Sequence, residues 1–66
     1  MNITLNGEAH SLEAGTSLQQ LLDALEVSCE ALVVQRNDDI VARAQFADTP
    51  LAEGDALELV RFVGGG

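Results

Sequence analysis

Thr16-Ser17-Leu18-Gln19-Gln20-Leu21-Leu22-Asp23-Ala24-Leu25 decides the fold. Leu18, Leu21, Leu22 and Leu25 recur at i, i+3, i+4 and i+7, so they line one face of a helix, with Gln19, Gln20, Asp23 and Ala24 between them. Thr16 is the expected N-cap. Its hydroxyl can accept from a first-turn N–H, and Gln19, three residues on, can reach back to close a capping box. No other segment has this period. A single helix with one apolar stripe must bury it against a sheet.

The flanking segments supply the strands. Upstream, Met1-Asn2-Ile3-Thr4-Leu5-Asn6 alternates apolar and polar, the period of a half-buried strand. Asn6-Gly7 is a strong hairpin signal because both residues tolerate positive φ. Glu8 to Glu13 is the returning strand, ended by Ala14-Gly15. Downstream, Ala31-Leu32-Val33-Val34 is expected to be a central strand buried on both faces. Asn37-Asp38-Asp39 turns the chain into a short strand at Ile40-Val41. A mixed connection around Phe46 runs from Ala44 to Pro50, and Leu51-Ala52-Glu53-Gly54-Asp55 turns into a last strand, Ala56 to Val63. The order leaves room for one parallel crossover without specifying which strands pair. The expected class is α+β, a mixed sheet of four to five strands with one main helix on one face. Residues 1–63 form the domain, and 64–66 form a flexible glycine tail.

Composition limits the functions available. A chain of 66 residues buries only about 60% of the surface its unfolded form exposes, leaving little structure for a deep pocket. Arg36, Arg43 and Arg61 are the only cations besides His10, against eleven Asp and Glu, for a net charge of −8. Nucleic-acid binding needs clustered cations and is excluded. The acidic balance serves either solubility or encounter with a basic partner. There is no lysine, so the chain cannot form lysine-linked polymers of itself. Cys29 is the sole cysteine, which excludes an internal disulfide and a cysteine-based zinc cluster. No basic leader with an apolar run and no run of about 20 apolar residues is present, so a cytoplasmic location with no membrane partner is expected.

The resemblance to a known family rests on motifs taken in order: Val34-Gln35-Arg36-Asn37, Ile40-Val41-Ala42-Arg43, Phe46, Leu51-Ala52-Glu53-Gly54-Asp55, Leu57-Glu58-Leu59-Val60 and Val63-Gly64-Gly65-Gly66. Together they resemble the ThiS family of bacterial sulfur carriers, which has the β-grasp fold of ubiquitin. The family usually has proline where Ala42 stands and often tryptophan where Phe46 stands; both differences read as local packing changes, remote from the tail. The resemblance implies a carrier rather than an enzyme, with no cofactor of its own. A ThiF-type partner would adenylate the Gly66 carboxylate. A sulfur donor, a cysteine desulfurase or a related protein, would convert it to a thiocarboxylate. A ThiG-type thiazole synthase would then take the sulfur for the thiazole ring of thiamine. The alternatives are a sulfur carrier like the small subunit of molybdopterin synthase, or a ubiquitin-like interaction module with an inert tail.

The residue types suit that chemistry. Three glycines give an extended probe of roughly 10 Å, able to carry an acyl carbon into another protein's active site. Lacking Cβ, Gly64 and Gly65 can thread a narrow channel. In the last strand, Leu57, Leu59, Arg61 and Val63 share one side, and Ala56, Glu58, Val60 and Phe62 the other. Leu57 and Leu59 are expected in the core. Val60 and Phe62 then point outward beside the tail, either as a partner-docking contact or packed on a neighbouring segment. Cys29 reads as a small apolar residue and His10 as a strand or surface histidine. Arg43 is expected to anchor the connecting loop in preference to the alternative, a partner contact, and Asp38-Asp39 to be a turn rather than a metal loop. No metal site is expected.

Overall fold

The computed structural model describes residues 1–28, 30 and 32–61. The elements in chain order are β1 (Asn2–Leu5), β2 (Glu8–Ser11), α1 (Leu18–Ala24), β3 (Leu32–Arg36), β4 (Asp39–Val41), a 3₁₀ helix (Arg43–Asp48) and β5 (Ala56–Arg61). The five strands form one mixed sheet in the order β2-β1-β5-β3-β4. β1 and β2 are antiparallel across Asn6-Gly7, whose φ values of 49° and 84° are those of a two-residue primed turn. β3 and β4 repeat the device across Asn37-Asp38, at φ 51° and 71°. β5 lies between the two hairpins, antiparallel to β3 and parallel to β1. The parallel crossover left open by the sequence therefore joins the first and last strands.

The helix buries Leu18, Leu21 and Leu22 on the inner face of the sheet, against Ile3, Leu5, Leu32, Val34 and Leu57, with Leu25 and Leu59 partly buried at the margin. Phe46, 1% exposed, fills the core from the 3₁₀ helix, and Leu51 closes it. Ala42 sits just before that helix at φ −65°, the value a proline ring imposes, so alanine and proline are both compatible with the backbone there.

Three expectations are corrected. The N-cap is Ser17, not Thr16. Gln20 N–H donates to Ser17 Oγ at 3.1 Å and Ser17 N–H to Gln20 Oε1 at 2.9 Å, closing the capping box one residue later than expected. Thr16 is already engaged: its hydroxyl donates to Glu13 O at 2.7 Å, and its carbonyl accepts from Leu51 N–H at 2.9 Å. β3 is buried on one face only, because the helix covers Leu32 and Val34 while Val33 stays half-buried on the outer face; the middle strand of the sheet is β5. The connection after β4 is an ordered 3₁₀ helix, since Phe46 has a core position to fill. Ala31, which was expected to open the third strand, lies outside the described residues.

Helix α1 ends without glycine. Glu26 takes the left-handed position at φ 58°, Val27 N–H bonds to Leu22 O at 3.0 Å, and Glu26 N–H to Asp23 O at 3.1 Å. This is the bond pattern of a Schellman cap, built on a residue that pays a steric penalty there.

Candidate functional site

The region that matters is the far end of β5, which precedes the glycine tail in sequence. Leu57 and Leu59 turn inward as expected, and Glu58 and Val60 turn outward. Val60 is 48% exposed. It lies directly across the ladder from Val33, and Glu58 faces Gln35, which on its other side faces Ile40. Ile40 is 69% exposed. Val60, Val33 and Ile40 therefore share the sheet face opposite α1, a modest apolar patch interrupted by Gln35 and Glu58. Phe62, the second expected docking residue, and Gly64, Gly65 and Gly66 lie outside the described residues. Periodicity within one strand does not reveal Val33 and Ile40; the β3–β5 register places Val33 directly across from Val60, and the β3–β4 register places Ile40 on the same face two strands away.

The start of β5 is held by a buried carboxylate. Asp55 is 5% exposed and accepts from Arg36 Nε at 2.8 Å, Asn37 Nδ2 at 3.0 Å and Ala52 N–H at 2.8 Å. Burial alone raises its pKa. The Ala52 N–H, the Asn37 amide and the Arg36 guanidinium together outweigh burial, so the carboxyl titrates below its ordinary range. Asn37 Oδ1 also accepts from Ala56 N–H at 2.9 Å, so one turn residue serves both the carboxylate and the first rung of β5. The sequence marked Asn37 and Asp55 only as turn residues. The network has the character of a structural clamp: every donor around Asp55 is supplied from within the chain.

The remaining candidates are dispersed. Arg43 is exposed at the start of the 3₁₀ helix and forms no ion pair among the described residues, so the expected loop anchor is not seen; the ion pair that is seen belongs to Arg36. The loop is held instead by Phe46 and by Thr49 Oγ1, which donates to Gln45 O at 2.7 Å. His10 is half-buried in β2. Asp38 occupies the turn and Asp39 begins β4, and the described residues contain no group of three or more His, Cys, Asp or Glu able to hold a metal. Cys29 lies outside the described residues. An open depression beside β4 is lined by Arg36, Asn37, Ile40, Gln45 and Thr49. No described helix is long and apolar enough to cross a membrane.

Comparison with known proteins agrees with this geometry. The ThiS family model matches residues 3–66. The thiazole synthase of Magnetococcus marinus is 46% identical over 66 residues, a match that takes in 100% of this chain but spans only 20% of that protein's length. The sulfur carrier protein ThiS of Bacillus subtilis is 31% identical over 65 residues, covering 97% of this chain and 98% of the other. The crystal structure of the thiamine biosynthesis protein ThiS from Geobacter metallireducens superposes with a TM-score of 0.86 at 35% identity, with 100% of each chain covered. With β1 parallel to β5, one helix across the sheet and a family match that runs through the glycine tail, this chain belongs to the ThiS family.

Proposed function

We propose that this chain is a sulfur carrier of thiamine biosynthesis, a protein co-substrate rather than a catalyst. Residues 1–63 are the body and 64–66 the delivery tail. The supporting observation is the family match, which extends from β1 through Gly66, joined to near end-to-end similarity with a bacterial sulfur carrier. A ThiF-type enzyme binds the body and draws in Gly64 and Gly65. A Gly66 carboxylate oxygen attacks the α-phosphorus of ATP, pyrophosphate leaves, and an acyl-adenylate forms. The terminal persulfide sulfur of a desulfurase-type donor then attacks the acyl carbon and AMP departs, leaving an acyl disulfide whose S–S bond a thiol reductant cleaves, being itself oxidised to a disulfide, to release the thiocarboxylate. A thiazole synthase consumes that sulfur. The similarity of this chain to part of a thiazole synthase supports that acceptor.

Val60 and Phe62 form the docking contact beside the tail in this reading. The exposure of Val60, and the position of Val33 and Ile40 on the same sheet face, support it. An apolar contact close to the exit strand would hold the body while the glycines thread.

The test is intact mass after incubation with ATP, a ThiF-type enzyme and a sulfur source, using protein with its natural C-terminus. A gain matching replacement of one oxygen by sulfur, mapped by fragmentation to Gly66, is expected. Gly66→Ala should fold normally and fail in pyrophosphate exchange, because a Cβ beside the carboxylate crowds its approach to the α-phosphorus of ATP. No adenylate and no mass gain, with the enzyme active on another carrier, would leave an interaction module with an inert tail.

A further inference from the structure

We infer that Asn6 is a positioning residue for the strand that carries the tail: its side chain supplies the last rung between β1 and β5 and so anchors the end of β5. The anchor stands on geometry alone. Its consequence for chemistry rests on the carrier reading above.

β1 and β5 pair in parallel at only two positions, Thr4 with Ala56 and Leu5 with Leu57. Thr4 N–H donates to Asp55 O and Asn6 N–H to Leu57 O, both at 2.9 Å. In a regular parallel ladder the next rung would run from Leu59 N–H to the main-chain carbonyl of residue 6. The chain cannot supply it in that form, because Asn6 has turned to φ 49° to enter the hairpin. Leu59 N–H instead donates to Asn6 Oδ1 at 2.8 Å. The amide oxygen stands in for the carbonyl that the turn has rotated away.

This bond extends the two-sided hold on β5. On one flank β3 pairs along its length, from Leu57 opposite Arg36 to Arg61 opposite Leu32. On the other flank β1 stops at Leu57, and Asn6 carries the hold on to Leu59. The residue needed here must accept a left-handed backbone and carry an acceptor one side-chain length from the main chain. Asn and Asp meet both conditions better than other residues. A strand end held on both flanks presents the tail from a fixed origin. Without the anchor, part of that order has to be supplied when a partner docks, which weakens apparent affinity and leaves the chemical step alone.

Two substitutions separate the anchor from the turn. Asn6→Gly keeps the positive φ and removes the acceptor; Asn6→Asp keeps both. In the free protein, Asn6→Gly should speed amide exchange at Leu59 by about threefold to tenfold, the range one net hydrogen bond spans, while amides of the β3–β4 hairpin are unchanged. Asn6→Asp should restore wild-type exchange. In pyrophosphate exchange with a ThiF-type enzyme, Asn6→Gly should raise KM for the carrier by a similar factor with kcat within about twofold, and Asn6→Asp should return KM to the wild-type value. Wild-type exchange at Leu59 in Asn6→Gly, acceleration spread evenly over all amides, or an unchanged KM beside faster exchange would each overturn the inference. If the wild-type chain supports no pyrophosphate exchange at all, the carrier reading falls, and the anchor is then decided by the exchange rates alone.

Discussion

The two hairpin turns use the same device at opposite ends of β5. At Asn37-Asp38, as at Asn6-Gly7, two residues with positive φ reverse the chain, and the asparagine turns its side-chain oxygen on a backbone N–H of β5. Asn37 takes Ala56 at the start of the strand; Asn6 takes Leu59 near its end. Their surroundings differ. Asn37 also donates to buried Asp55, which is tied in turn to Arg36 and Ala52, so its turn belongs to a partly buried network. Asn6 acts on Leu59 through one exposed bond. One motif thus fixes where β5 begins as a matter of fold stability. The other holds β5 at Leu59, near its described end.

This contrast predicts a graded series. Asp55→Ala should have the largest effect, because it leaves three donors around a buried position without their acceptor. A loss of roughly 2–4 kcal/mol is expected, which for a domain of this size lowers Tm by more than about 8 °C in a thermal melt. Arg36 is about a third exposed and contributes little of this through charge alone. Asn37→Gly keeps the turn and loses two bonds, with an expected cost of roughly 1–2 kcal/mol by urea denaturation. Asn6→Gly should lose less than about 1 kcal/mol; equal losses at the two turns would erase the distinction drawn here. Val60→Ser should leave Tm nearly unchanged and weaken only partner binding, which titration calorimetry against a ThiF-type enzyme or a thiazole synthase would detect.

The network also sets a pH response. The folded pKa of Asp55 is depressed, so its stabilisation is fully present above the unfolded value of about 3.9 and is lost as pH falls through the lower folded value. Asp55→Asn should therefore be less stable than wild type near neutrality, and the gap should narrow below about pH 3.9. A gap of constant size down to pH 2 would show that the carboxylate charge contributes nothing.

Much of this was legible from local pattern. The leucine stripe of α1 predicted the buried face because a helix has a fixed angular period. Asn6-Gly7 predicted the hairpin because few other pairs accept two successive positive φ values. The helix ends were less legible. Two adjacent hydroxyl residues, Thr16 and Ser17, both fit the N-cap, and only the hydrogen bonds of Thr16 to Glu13 and Leu51 separate them. The stop at Glu26 carries no glycine to announce it. The outer sheet face was half legible: alternation along β5 predicted the outward position of Val60, but Val33 and Ile40 join it only through strand registers.

By itself the sequence determined the element types, the apolar faces and the glycine tail, because those follow from side-chain period and backbone freedom over a few residues. Only the tertiary structure decided that β1 runs parallel to β5, that Asp55 gathers donors from residues distant in the chain, and that the side chain of Asn6 reaches Leu59. Each of these joins residues many positions apart. Such pairings depend on how the whole core closes, and no local periodicity encodes them.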